Sequence, residues 1–293
     1  MSTPVTEIVK SLTALQAGQV KHLLERGIRI PPQPRVVEEM RQLMLRNALD
    51  VRALARTISQ DPGITADLFR LTRTAAYSQH APFDSVEDLV HALGVKQTFN
   101  LVQAIAAASS LDVSRNRTAF EAYWARSQAV AQIAMLVANE RVTVCNIFPD
   151  QAYLAGMFHD CGVPVLMQRF STYCKEMHLT EPGRWASLAE EDRRFNADHC
   201  VVGYLVARHW NLPDFISDAI RYHHDIEQLG QHASRTMVAI LQMSIEIYHR
   251  YQQVPNPEWE QVAGLVLDEL GLHPDSVSEF IDDILEQFHA RTH

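Results

Sequence analysis

The sequence predicts an all-α protein, and three observations carry that expectation. Apolar residues recur at helical spacing along most of the 293 residues, and strict apolar/polar alternation is scarce. Glycine is only 11 of 293 residues, about 4% against a typical ~7%. Apolar side chains make up 47% of the chain and charged ones 21%, enough to close a core and to exclude wholesale disorder.

Each expected helix has a start, a stop or a stripe behind it. Over residues 5–26, Ile8, Leu12, Leu15, Val20, Leu23 and Leu24 favour one side, and Gly27 ends this helix of an N-terminal arm, residues 1–29. Ile30-Pro31-Pro32-Gln33-Pro34 is extended before its last proline and joins the arm to the body. Val36, Val37, Met40, Leu43 and Met44 define a helix over 35–47. Asp50 caps the next one, and Asp61-Pro62 sets a capping aspartate before a proline at the first helical position. Ser85, with Asp88 three residues on, opens a helix that closes at Gly94. Residues 96–110 are apolar almost all round, the mark of a buried helix.

The polar stretch Asp112 to Arg117 is the expected boundary between an N-terminal helical lobe, residues 30–115, and a second lobe, residues 116–254. A long helix over 118–140 opens the second lobe, and a loop follows at Asn146 to Pro149. Helices are then expected at 152–159, 162–170, 185–194, 199–210, 213–223 and 233–251. The last segment, residues 255–293, holds two short helices near 258–270 and 275–288. Helices of this length are marginal alone, so their apolar stripes are predicted to dock on the second lobe.

The net charge is −9, with 35 acidic against 26 basic residues, which argues against a general nucleic-acid binder. Residues 255–293 carry nine acids against one arginine, leaving residues 1–254 at −1. The acidic end is either a solvated helical face or an interaction surface. Residues 1–60 reach only +4 and lack interleaved aromatics, so nucleic acid is not an expected partner. The four cysteines show neither C-x-x-C nor zinc-ligand spacing. No run approaches the ~18 apolar residues of a membrane span, and the longest candidate, Ala129 to Ala138, is broken by Gln132. With no basic-then-apolar leader, the expectation is a cytoplasmic protein with reduced thiols and no membrane partner.

Histidine is the informative residue type, with 14 copies. His22, His80, His91, His178 and His232 each stand alone among polar neighbours. The cluster that matters is His159-Asp160, then His199, then His223-His224-Asp225. His159-Asp160 closes the apolar run Ala152 to Phe158, and a charged pair there costs burial energy unless it is paired or ligating. Imidazole and carboxylate together suit a hydrolytic divalent metal, and they equally suit a buried hydrogen-bonded pair; the spacing leaves both open.

Ala155-Gly156-Met157-Phe158-His159-Asp160-Cys161-Gly162 resembles the signature helix of the HD superfamily of metal-dependent phosphohydrolases. The wider chain, over about residues 28–250, resembles its HDOD branch. The motifs are Ile30 to Pro34, Gln60-Asp61-Pro62-Gly63-Ile64-Thr65, Leu93-Gly94 and Tyr123-Trp124-Ala125-Arg126-Ser127, in family order. Asp198-His199, Trp210-Asn211-Leu212-Pro213 and Ala219 to Asp225 continue the order. The resemblance implies an N-terminal helical bundle packed on an HD-like helical bundle, followed here by the two acidic helices.

It also implies a function, through the departures from the family pattern. In catalytic HD proteins a histidine on the preceding helix completes the metal shell, and the matching position is Arg126, a permanent cation with no lone pair to offer. The lysine that often follows the pair matches Val163, and the closing aspartate matches Ser244 within Gln242-Met243-Ser244-Ile245. The expectation is a non-catalytic bacterial signal-transduction module with no catalytic residue and no cofactor. Its relic pocket would comprise Arg126, His159, Asp160, His199, His223, His224 and Ser244, with Arg126 at the vacated ion position pairing with Asp160. Signalling proteins, or a small nucleotide in the pocket, would be its partners. The alternative is a metal-dependent phosphohydrolase acting on a nucleotide or cyclic dinucleotide, its ion held by His159, Asp160, His199, His223 and His224.

Overall fold

Side-chain caps start the helices where local chemistry provides them. Asp50 accepts from the Ala53 amide at 3.0 Å, Asp61 from Gly63 and Ile64, each at 3.0 Å, and Ser85 from Asp88 at 3.1 Å. A computed structural model describes residues 23, 25–46, 50–77, 83–107, 116–181, 183–230 and 232–290, and every regular element among them is helical. The first five helices are α1 (Arg35–Met44), α2 (Val51–Ser59), α3 (Pro62–Thr72), α4 (Val86–Leu93) and α5 (Val95–Ala106). The helix expected over 5–26 and the polar break at 112–117 fall largely outside the described residues. So do His22 and His80.

The second half is built around α6 (Arg117–Cys145), followed by α7 (Pro149–Phe158), α8 (Gly162–Arg169) and the single turn α9 (Tyr173–Glu176). Then come α10 (Leu188–Phe195), α11 (His199–His209), α12 (Asp214–Tyr222), α13 (Ala233–Tyr251), α14 (Trp259–Leu270) and α15 (Val277–His289). α7 packs between α6 and α5, α13 lies along α6, and α11 sits between α8 and α12. Close backbone approach makes the α6–α7 contact possible: a β-carbon on Gly156 would stand 2.5 Å from the Ala131 Cα.

Several elements differ from expectation: α1 ends at Met44 rather than 47, and α7 starts at Pro149 rather than 152. α6 runs to Cys145 rather than 140, and stops where Asn146 turns left-handed at φ +51°. α10 begins at Leu188 rather than Trp185: Trp185 to Ser187 lie outside the helix, Ser187 is extended, and the indole packs on Arg126. The turn α9 has no counterpart in the sequence reading. The terminal helices dock as expected: α14 lies on α13 and α15 on α6, burying Val266, Leu270, Ile281 and Ile284. Glu279, Asp282, Asp283 and Glu286 face solvent. Arg141 of α6 caps the end of α14, donating to the Leu270 and Gly271 carbonyls, each at 2.9 Å.

One backbone carbonyl ties the two halves together. The Trp210 oxygen, at the end of α11, accepts from Gln33 at 3.1 Å, Arg41 at 2.9 Å and Gln103 at 3.0 Å. The Trp210 indole in turn donates to the Pro31 carbonyl at 3.0 Å and meets Phe158 edge-on, centroids 5.3 Å apart.

Candidate functional site

The turn between α7 and α8 delivers His159 and Asp160 into the interior, where they are 0% and 3% exposed. Asp160 is the hub. One carboxylate oxygen, Oδ2, faces Arg126 at 3.3 Å and His159 Nε2 at 3.5 Å. The other, Oδ1, faces His199 Nε2 and His223 Nε2, each at 3.4 Å. Arg126 reaches it from α6, a second nitrogen donating to the Arg184 carbonyl at 3.2 Å, and the guanidinium lies 4.2 Å from the centroid of Trp185.

Four imidazoles are held the same way. The Nδ1 of His159 donates to the Gly156 carbonyl at 2.7 Å and that of His223 to the Ile220 carbonyl at 2.9 Å. His199 Nδ1 donates to Glu191 and His224 Nδ1 to Glu258, each at 2.7 Å. Those oxygens only accept, so Nδ1 carries the proton in all four rings. Every Nε2 is thereby turned toward the cluster, and those of His159 and His223 have no hydrogen-bond partner. The Nε2 atoms of His199 and His224 face each other at 3.2 Å. Two lone pairs cannot meet at that distance, so one ring is an imidazolium or a cation lies between them.

Electrostatics favours the imidazolium. Burial works against a charge on His199, yet the Glu191 carboxylate and Cys200 raise its pKa well above the ordinary imidazole value. Burial likewise opposes His223, and Cys200 and Asp160 raise it to about 10. His159 goes the other way, pushed down to about 4 mainly by burial. Burial also opposes ionisation of Asp160, but His159, His223, His199 and Arg126 around it hold the carboxyl well below its usual range. Three carboxylates (Asp160, Glu191 and Glu258) thus meet three cations (Arg126, His199 and His223). The Cys200 thiol, which burial raises but His199 and His223 pull down to about 6, adds a negative charge near neutral pH.

The structure brings six of the seven expected residues together. Ser244 is buried on α13, but its hydroxyl donates to the Ile240 carbonyl at 2.6 Å and bonds none of the cluster. The α13 side chain that does reach in is Gln242, donating to the His223 carbonyl at 2.9 Å. Four further residues were not singled out from sequence: Glu191, Cys200, Glu258 and Trp185. Glu191 sits in an acidic pair with Glu190 that reads as helix surface, yet it is fully buried and accepts from both Tyr173 and His199. Glu258 reads as part of the acidic end. Cys200 carried one usable signal, its place directly after His199.

For a divalent ion the two sides of Asp160 differ. Beside Arg126 the donor set does not fit, since a guanidinium offers no lone pair and repels a cation. On the Oδ1 side it does fit: the ligand atoms of His199, Cys200, His223 and His224 all lie within 4.8 Å of one another, a nitrogen and sulfur set suited to a zinc-like ion. Their Nδ1 anchors are of the kind that orient metal-binding imidazoles.

Residues 30–226 match the family model of the HDOD domain. A protein of Shewanella amazonensis SB2B, described provisionally as a metal-dependent phosphohydrolase, has a similar structure at TM-score 0.71 and 19% identity, covering 94% of this chain and 96% of that one. An HDOD domain protein of unknown function from Geobacter sulfurreducens aligns at TM-score 0.62 and 24% identity, over 92% and 95% of the two chains. A Marinobacter aquaeolei VT8 protein, described provisionally as a signal transduction protein, aligns at TM-score 0.69 and 22% identity, over 95% of this chain and 64% of that one. These likenesses show a shared fold. An uncharacterised Treponema pallidum protein is 22% identical over 236 residues, 77% of this chain and 44% of that protein; the chain thus spans less than half the length of this curated relative. Among the described residues no helix is long and apolar enough to cross a membrane.

Proposed function

The chain belongs to the HDOD domain family, and from that premise we propose that it is a non-catalytic bacterial signal-transduction module, acting through protein partners or a small ligand in its degenerate His/Asp pocket. One observation carries this reading: the buried Arg126 guanidinium stands 3.3 Å from Asp160, so a fixed cation already compensates the carboxylate. Two unit charges 4 Å apart repel by about 4 kcal/mol at an effective dielectric of 20, an upper figure once water screens the pocket, and a divalent ion would meet more.

A second reading, a metal-dependent phosphohydrolase acting on a nucleotide or cyclic dinucleotide, is favoured by the inward-turned Nε2 atoms of His159 and His223. A metal bound by His199, Cys200, His223 and His224 would supply Lewis-acid polarisation of a phosphoryl oxygen. Four protein ligands, however, make a closed shell of the structural kind, without the open position a hydrolytic water needs. The test is metal content of protein purified without chelators, read beside hydrolysis of bis(p-nitrophenyl) phosphate and a cyclic dinucleotide. Substoichiometric metal with no turnover supports the module; stoichiometric metal with metal-dependent turnover supports the hydrolase.

A further inference from the structure

A second cleft lies away from the His/Asp cluster, where α3 faces α6 and α7. It encloses about 500 Å³, within the ordinary range of small-molecule sites. Its floor on α6 is one stripe, Trp124, Gln128 and Gln132, spaced four residues apart. Gln132 is the residue that interrupts the apolar run Ala129 to Ala138. Both glutamines are half-buried, and neither side chain has a hydrogen-bond partner among the described residues, so their carboxamides are free to bond an occupant of the cleft. The Trp124 indole lies nearly parallel to Phe120, at 9° and 6.2 Å between centroids, which fixes its plane.

The opposite wall is basic. Arg70 and Arg73, three residues apart, both line it. Arg70 is held by Asp67 at 2.9 Å, while Arg73 is exposed and makes no ion pair among the described residues. With Asp67 included, the lining is positive by one charge on a chain of net −9. Tyr153 of α7 is buried and also lines the cleft.

We infer that this cleft binds a phosphorylated nucleoside, its phosphate on Arg70 and Arg73, its base edge on Gln128 and Gln132, and its ring against Trp124. Guanidinium forks match phosphate oxygens, carboxamides pair donor-and-acceptor edges, and indoles stack on bases. The site is separate from the His/Asp pocket and does not depend on how that pocket functions.

Titration calorimetry on the full chain with GDP and ADP, and with inorganic phosphate and ribose 5-phosphate as fragments, tests the inference. Binding of at least one nucleotide is expected, with the fragments weaker. Arg73→Ala should weaken it at least roughly tenfold, the usual loss with one charge-assisted bond. Gln132→Leu should weaken the nucleotide but leave ribose 5-phosphate unchanged, a split that general misfolding would not produce. No heat from either nucleotide at about 1 mM overturns the inference. So does equal binding of inorganic phosphate, which would make this a simple anion site. Binding lost in His224→Gln but kept in Arg73→Ala would place the ligand in the other pocket and overturn it as well.

Discussion

Gly162 faces the backbone carbonyl of His199 so closely that a β-carbon at residue 162 would stand 2.0 Å from that oxygen and 2.8 Å from the Gly203 nitrogen. The start of α8 is pressed onto the start of α11, and this contact sets the separation of Asp160 from His199. Gly162→Ala should therefore cost at least about 3 kcal/mol, since backbone on both sides must move. Gly264, on the exposed face of α14 with open space around it, is the matched control. Gly264→Ala should stabilise by about 0.5–1 kcal/mol. Urea melts of the two variants, compared at constant m-value, check the contrast.

Arg126→Ala removes the guanidinium but leaves Asp160 buried. A stability loss of about 3 kcal/mol is expected, because a buried carboxylate keeps its desolvation cost when a partner is deleted. Arg126→Ala/Asp160→Asn should recover part of that loss. A full double-mutant cycle by chemical denaturation measures the coupling; additive losses would mean that the pair at 3.3 Å contributes nothing.

Asp150 gives a pH dependence with a definite sign. It is 2% exposed and accepts from Asn100 at 2.7 Å, and burial raises its pKa above the model-compound value of 3.8 despite that bond. The folded state therefore holds this proton more tightly than the unfolded chain. Its ionisation costs stability above the raised folded pKa, and the cost fades as pH falls back toward 3.8. Asp150→Asn should flatten this part of the stability profile, seen as a smaller change in melting temperature between mildly acidic and neutral pH.

Arg141→Ala should loosen the C-terminal helices. Both of its bonds, at 2.9 Å, go to carbonyls at the end of α14. Faster amide exchange over residues 259–289, with α6 and α7 unchanged, is the expected result. Equal exchange in wild type and variant would assign the docking of α14 and α15 to their apolar faces alone.

Signals confined to a few neighbouring residues were legible in the sequence. Asp61-Pro62 and Ser85 announced their helices because a cap acts within three residues. The His/Asp set was legible through its motifs, which keep their order along the chain. Glu191 was not, because its burial depends on Tyr173 and His199 arriving from two other elements. Glu258 was hidden by its own neighbourhood: nine acids share that segment, and only the fold shows that this one, half-exposed at the rim, bonds His224. The late start of α10 has a similar origin, since Trp185 leaves helical geometry to lie between Arg126 and His249, whose ring it stacks at 24° and 5.0 Å.

Helix α11 has His199 at its first residue and the Trp210 carbonyl just past its last. Eleven residues at about 1.5 Å each make a rigid strut of roughly 16 Å. One end is clamped by Gly162 and the Asp160 cluster, the other by Gln33, Arg41 and Gln103. Such a strut cannot slide or turn at one end alone. A displacement at His199, from an occupant or a change of charge, is passed along α11 to the bonds made by Gln33, Arg41 and Gln103, so this rod is one mechanical link between the two halves, beside the direct packing of α7 on α5.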